Sequence, residues 1–369
     1  LGDVYKRQDQ YRGWFQSSLL TAVGAFGNGA PFKECVTHGW TVDGEGKAMH
    51  KSLGNGMDPA EIFDKYGADL LRLWAGSADY HVDVRCSDEI FKQLSQNYLK
   101  FRNTCKFCLD NLVSFDPDHL VQPDEMLPLD KWAVTRLNTL IEKVFAAYDN
   151  YEFHVVSHMI NDFCVVDLSS FYFDIIKDRL YCGEASGLER RSAQTAVWLI
   201  LDAMTRMFAP ILAFTCDEVW LAMPHRSADD ARNVLFNEMV QPYAAYALSE
   251  KEMGKWSRIA ALRTAVNGAL EQARADKTIG KSLEAEVDLT VTAEDAFLAD
   301  MDAADLADTL IVSQVRVDVG AEQAVAVRPA AGAKCLRCWK VLPTVGSDAE
   351  HPELCPRCAA VVKNLPVIE

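Results

Sequence analysis

Four cysteines near the end of the chain constrain its fold more than any other feature. Cys335-Leu336-Arg337-Cys338 and Cys355-Pro356-Arg357-Cys358 stand sixteen residues apart, giving C-x2-C-x16-C-x2-C. Each pair aims two thiolates at one centre, and four soft sulfur ligands in a tetrahedron suit Zn²⁺ at about 2.3 Å. Such a centre leaves no open position for water, so Cys335, Cys338, Cys355 and Cys358 are expected to hold one structural zinc. A stretch this poor in apolar groups folds around metal rather than around a core. Two disulfides or redox pairs are the competing reading, and a reduced cytosolic setting argues against it.

Residues beside these ligands carry the next inference. Arg337, Trp339, Lys340 and Arg357 combine positive charge with an aromatic face, which suits phosphates and unpaired bases. The alternative is a solvated face with Trp339 packing on the knuckle. A further CxxC, Cys105 to Cys108, lies within an apolar helical stripe and reads as core packing.

The chain has 369 residues and a hydrophobic content of 49%, enough for two or three domains each with its own core. Its longest apolar run, residues 196–214, contains Asp202, Arg206 and Pro210, so no membrane span is expected there. No signal-peptide pattern opens the sequence, and the eleven cysteines are an odd set, so a cytoplasmic location is expected. The formal net charge of −16 argues against a wholesale nucleic-acid coat but leaves room for local basic strips.

Hydrophobic periodicity divides the chain. Residues 1–8 read as a sequencing-adaptor artefact and are left outside the fold. Residues 9–86 read as mixed structure: a helix from Asp9 to Ala25, a strand from Lys33 to Val42, a turn at Asp43-Gly44-Glu45-Gly46, then a helix opened by Asp58-Pro59. Residues 87–277 read as a helical bundle, with Ile90, Phe91, Leu94, Tyr98, Phe101, Cys105 and Cys108 along one stripe and Lys92, Lys100, Arg102 and Lys106 beside it. Thr215-Cys216-Asp217-Glu218 has the form of a capping box restarting a helix after Pro210. Residues 278–332 read as a small α/β subdomain with strands at 283–292, 310–319 and 323–327 and a short helix at 293–308. Residues 333–369 form the zinc-binding module.

The loop Gly46-Lys47-Ala48-Met49-His50-Lys51-Ser52-Leu53-Gly54-Asn55 offers flexible backbone and ammonium charge, the ingredients for holding a triphosphate. Met49-His50-Lys51-Ser52 resembles the second signature of class I aminoacyl-tRNA synthetases, Lys-Met-Ser-Lys-Ser, departing from it at Ala48 and His50. Asp9-Gln10-Tyr11-Arg12-Gly13-Trp14-Phe15 looks like a block of the isoleucyl enzymes of that class, without its upstream Glu-Gly pair. Thr37-His38-Gly39 matches the strand end beside the adenine. Residues 167–181 and the four-cysteine tail look like the same family's helical anticodon-binding domain and terminal zinc module, so the likeness covers 9–369.

The resemblance to bacterial isoleucyl-tRNA synthetases implies a mainly α chain. Its parts would be the C-terminal remnant of a Rossmann-type nucleotide-binding domain, a helical-bundle anticodon-binding domain, a small α/β region and a zinc-binding module. It also implies roles. Lys51 would be catalytic, stabilising charge on the triphosphate. Asp9, Gln10, His38, Gly39, Met49 and Ser52 would meet ATP or the adenylate, and Trp14 the amino-acid pocket. Arg337, Trp339 and Arg102 are the tRNA-binding candidates. The implied partners are tRNA(Ile), L-isoleucine and ATP with Mg²⁺, and the implied state is a monomer.

No His-x-Gly-His occurs in the sequence, and the family's editing domain also lies upstream of the matched region. The expectation is therefore a fragment that does not activate isoleucine by itself. Valyl, leucyl and methionyl enzymes are the rivals within the class, and a tRNA-binding module without catalysis is the rival outside it.

Overall fold

The computed structural model describes residues 4–27 and 29–365, with the side chains of residues 4–9 and Lys51 outside that description. Its first part holds two short parallel strand pairs. Val4–Arg7 pairs with Cys35–His38, and between them run a 3₁₀ turn, Gln8–Tyr11, the helix Trp14–Leu20 and a π turn, Thr21–Ala25. Residues 4–7 thus join a ladder although they were expected outside the fold; pairing draws on backbone groups that every sequence supplies. Thr41–Val42 pairs with Val84–Arg85, and the crossover carries the helices Pro59–Tyr66 and Ala68–Ser77. Parallel strands need such crossovers, since a tight hairpin cannot join them. As Asp58-Pro59 implied, the Asp58 side chain caps the first of these helices, accepting from the Ala60 amide at 2.9 Å.

A helical bundle makes up most of the molecule. Helix Asp88–Asn111 buries Phe91, Phe101, Cys105 and Cys108 along its stripe, so the inner CxxC is core. Helices Pro128–Asp149 and Leu188–Phe208 pack against each other, and every residue from Ser192 to Phe208 is buried. Between them a rod runs from Phe153 to Cys182, α-helical at both ends and π-helical over Phe163–Tyr172. The wider turn is matched by Ser169 and Ser170, whose hydroxyls donate to carbonyls five residues back, Cys164 and Val165, each at 2.7 Å. Buried charge is paired. Asp130, fully buried, accepts from Tyr172 Oη at 2.7 Å, Ser192 Oγ at 2.6 Å and Arg179 Nη1 at 3.1 Å.

The expected capping box at Thr215 is not formed. Helix Ala213–Ala222 already includes Thr215, and its N-terminal amides are satisfied from another element, by Asp69. A genuine capping box instead opens the last bundle helix, Glu250–Ala275, between Ser249 and Glu252.

Beyond the bundle, Gln314–Val319, Ala285–Val291 and Ala324–Pro329 form a three-stranded sheet with Ala285–Val291 at its centre, parallel to the first neighbour and antiparallel to the second. Ala285, Val287, Leu289 and Val291 are buried as their alternation implied. The strand expected from Leu310 starts four residues later. Leu310 ends the helix Ala303–Leu310, and Ile311, in the left-handed region at φ 56°, turns the chain toward the sheet. A small hairpin, Ala333–Lys334 with Val341–Leu342, and the helix Pro356–Lys363 complete the fold.

Candidate metal centre and nucleotide loop

The four tail cysteines converge. Their sulfurs lie within 4.8 Å of one another and all four residues are buried. A tetrahedron with bonds of about 2.3 Å has sulfur–sulfur edges of about 3.8 Å. Cys338 Sγ and Cys355 Sγ stand 3.9 Å apart, so the cage fits zinc with little movement. The four thiols are not alike: Cys335 and Cys358 are shifted down, whereas Cys338, by its bond to Cys358, and Cys355, by burial, are shifted up. Hydrogen bonding from the Cys338 thiol, and then the Arg337 guanidinium 3.8 Å away, pull the Cys358 thiol down to about 4. The Cys355 amide lies 3.4 Å from Cys335 Sγ, the backbone contact expected of a thiolate knuckle. Each knuckle turns tightly, and Trp339 sits at φ 64° just after the first.

The centre is fastened to the bundle. Arg337 donates to the carbonyls of Tyr181 and Cys182, the last residues of the rod. Arg357 makes a bidentate pair with Asp178, Nη2 to Oδ1 at 2.9 Å, and Lys340 pairs with Asp308. Cys182 packs among the four ligands without belonging to their CxxC pairs. Of the three tRNA candidates, Arg337 therefore serves as a strut at this joint. Trp339 is 57% exposed, with the Lys281 ammonium 5.7 Å from its ring centroid. Arg102 pairs with Glu218 at 3.1 Å and donates to Tyr98 Oη at 3.2 Å on the bundle surface.

The lysine-bearing loop follows Thr41–Val42 and folds back through a bridge between Val42 and Ala48. Asp43 organises it, accepting from the Glu45 amide at 3.0 Å, the Lys47 amide at 2.8 Å and Asn55 Nδ2 at 2.7 Å. Asn55, first among these, holds the Asp43 carboxyl below its ordinary value. Asn55 also accepts from the His50 amide at 2.9 Å and donates to the Ala48 carbonyl at 3.1 Å. Lys51 opens the 3₁₀ turn Lys51–Leu53, with its side chain outside the described atoms; Met49 packs on the core and Ser52 is exposed. Lys47 pairs with Glu45 at 2.6 Å, both well exposed.

His38 and Gly39 stand apart from that loop's tip, at one wall of a cleft of about 450 Å³. Trp40 and Thr41 continue this wall, Trp74 of helix Ala68–Ser77 adds to it, and Tyr148, Phe153 and Ile211 line the bundle side. Gly39 is required there, because a Cβ would meet the Val82 carbonyl oxygen at 2.4 Å. Among the described residues, Gln10 and Trp14 do not line the cleft; Gln10 is half-buried and Trp14 is 67% exposed, while Asp9's side chain lies outside the description. Sequence reading missed Asn55, Asp69, Cys182 and Lys281. Asn55 alone left a trace, a polar residue after Gly54 at the loop's end.

Comparison with known proteins adds the following. Residues 3–87 match the family model "tRNA synthetases class I (I, L, M and V)", residues 130–289 the "Anticodon-binding domain of tRNA ligase", and residues 332–361 the "Zinc finger found in FPG and IleRS". The isoleucine–tRNA ligase of Geobacter sulfurreducens is 46% identical over 96% of this chain and 39% of its own length. That of Moorella thermoacetica is 46% identical over 98% of this chain and 40% of its own. The chain thus spans about two-fifths of the curated relatives it matches. In structure, 79% of the chain overlays 30% of the Agrobacterium radiobacter LeuRS, solved with tRNA and LeuAMS, at TM-score 0.52 and 16% identity, a likeness of fold.

Proposed function

Because the chain belongs to the isoleucine–tRNA ligase family of class I synthetases, we propose that it supplies the signature loop and the tRNA-gripping part of an enzyme that joins L-isoleucine to tRNA(Ile), acting as a monomer in the cytoplasm. The observation that carries this reading is the presence, in one chain, of a lysine loop clasped by Asn55, a helical bundle and a closed four-thiolate centre fastened to it.

In the first step the isoleucine carboxylate attacks the α-phosphorus of ATP and diphosphate leaves, giving isoleucyl-adenylate. In the second a ribose hydroxyl of the tRNA attacks the isoleucyl carbonyl and AMP leaves. Neither step needs a side-chain nucleophile; positioning and electrostatics carry both. Lys51 is assigned to the outer phosphates, where negative charge builds as diphosphate departs, and ATP arrives with its Mg²⁺. Met49 and Ser52 flank that lysine, while His38 and Gly39 serve the nucleotide from the strand end. Asp9 and Gln10 are assigned to the adenylate and Trp14 to the amino acid, in a pocket whose remaining walls belong to the rest of the enzyme. Trp339 with Lys281, and Arg102, are assigned to tRNA, and Arg337, the third candidate, ties the knuckle that precedes Trp339 to the bundle. Cys335, Cys338, Cys355 and Cys358 would hold the zinc, which would supply folding rather than reactivity because four thiolate ligands leave no open position.

The 39% span of the Geobacter relative favours a second reading for the chain by itself, a tRNA-binding module without catalysis. The test is to assay the 369-residue chain for tRNA binding and for isoleucine-dependent ATP–diphosphate exchange. Binding of tRNA(Ile) without exchange is expected. Binding that does not discriminate tRNA(Ile) from tRNA(Val), or none at all, would sink the assignment.

A further inference from the structure

Helix Ala68–Ser77 grips a bundle corner with opposite charges one turn apart. Helix Leu188–Phe208 ends at Ala209-Pro210, and helix Ala213–Ala222 starts three residues later. Such a corner leaves carbonyls orphaned at one helix end and amides at the next. Arg72 holds the connecting turn, donating from Nε to the Ile211 carbonyl at 2.9 Å and from Nη2 to the Pro210 carbonyl at 2.7 Å. Asp69, only 7% exposed, takes the amides, accepting from Phe214 N at 3.2 Å, Thr215 N at 2.6 Å and Thr215 Oγ1 at 2.6 Å. The anion faces the positive end of helix Ala213–Ala222, and the cation fixes the turn that leads into it. Contact is close as well: a Cβ on Gly76 would stand 3.0 Å from Ile211 Cγ2, and the Gly76 carbonyl accepts from Ser157 Oγ at 2.8 Å.

The clamp has neighbours on both sides. Thr215 Oγ1 lies 3.0 Å from Tyr98 Oη, which accepts from Arg102. In the other direction, Arg72 and Gly76 line the cleft whose far wall is His38 to Thr41, the strand end that leads into the lysine loop. We propose that Asp69 and Arg72 are positioning residues, fixing the nucleotide-loop unit in one orientation on the bundle so that tRNA held by the bundle meets the loop at a set place. This rests on the tRNA reading above for its purpose, but its geometry is tested without RNA.

The experiment is amide hydrogen exchange on the whole chain, unsubstituted and as Asp69→Asn. The substitution keeps the shape, removes the anion and turns an NH₂ toward amides that need an acceptor. Exchange is expected to rise by about tenfold or more at Phe214 and Thr215, and also at Asp43, Lys47 and Val84 in and beside the loop. Cys335 and Trp339, in the zinc module, should keep their rates. Acceleration confined to helix Ala213–Ala222 would overturn the proposal, leaving Asp69 as a cap only. Should Asp69→Asn fail to fold, Thr215→Val removes one bond of the three, and the same pattern at lower amplitude is expected; unmoved loop amides would overturn the proposal. Failure of the unsubstituted chain to bind tRNA would sink the tRNA reading independently of these rates.

Discussion

Asn55 and Asp43 close the lysine-bearing loop on itself, Nδ2 to Oδ2 at 2.7 Å, across the twelve positions that separate them. Asn55 also bonds His50 N and the Ala48 carbonyl, so one amide side chain holds both limbs of the segment that carries Lys47 and Lys51. Replacing it with alanine should cost about 1–2 kcal/mol of local stability. Limited trypsin digestion checks this. Cleavage after Lys47 and Lys51 is expected to quicken in Asn55→Ala while the bundle stays intact, and an unchanged digestion rate would count against the clasp.

The four-thiolate centre makes a second prediction. Cys338→Ser removes one ligand of four, and the chain should lose its bound zinc together with the fold of residues 333–365. Zinc stoichiometry by mass spectrometry should drop from about one to near zero. Helix content from the bundle should persist, since its core is separate from the thiolate cluster. Full zinc retention in this variant would contradict the closed four-cysteine site.

Acid should loosen the small sheet through Glu286. This carboxylate is 4% exposed on the central strand, and hydrogen bonding from Arg328, with Arg316 adding its charge, holds its pKa below the ordinary glutamate value. A carboxyl whose folded pKa is depressed contributes stability that is fully present above the unfolded value of about 4.3, and loses it as pH falls through the folded value. Urea unfolding of the unsubstituted chain and of Glu286→Gln should therefore differ most at neutral pH. The gap should shrink below about pH 4. A gap independent of pH would show that the pair does not titrate with folding.

Gly39 allows no side chain. In Gly39→Ala the new methyl meets the Val82 carbonyl, so the strand end and residue 82 must part, at a cost of about 1–3 kcal/mol. The bond from Gly39 N to the Tyr80 carbonyl, 2.8 Å, should weaken, and with it the wall of the cleft. A lower Tm and faster exchange at Gly39 and Val84 are the measurements; an unchanged Tm would show that the segment shifts freely.

What could be read from sequence depended on how far apart the partners stand along the chain. The zinc ligands were legible because each knuckle is local and its spacing has few other uses. The stripes of Asp88–Asn111 and Pro128–Asp149 were legible because one face of a helix repeats its own pattern. Thr215 was misread because the true cap, Asp69, lies 146 positions away, and four local residues imitate a box that geometry does not need. Arg337 looked available to nucleic acid because composition says nothing of the Tyr181 and Cys182 carbonyls it meets. The π-helical stretch Phe163–Tyr172 has the same apolar rhythm as an ordinary helix, and only the Ser169 and Ser170 bonds to residues five back distinguish it.

Arg337 gives the rod from Phe153 to Cys182 an ending that it does not encode itself. The last carbonyls of that helix, orphans by construction, are satisfied by a guanidinium held in place only while the thiolates are gathered. Chelation should therefore unravel more than the tail: the final turn of the rod frays with it, and metal content becomes legible at a helix that touches no ion.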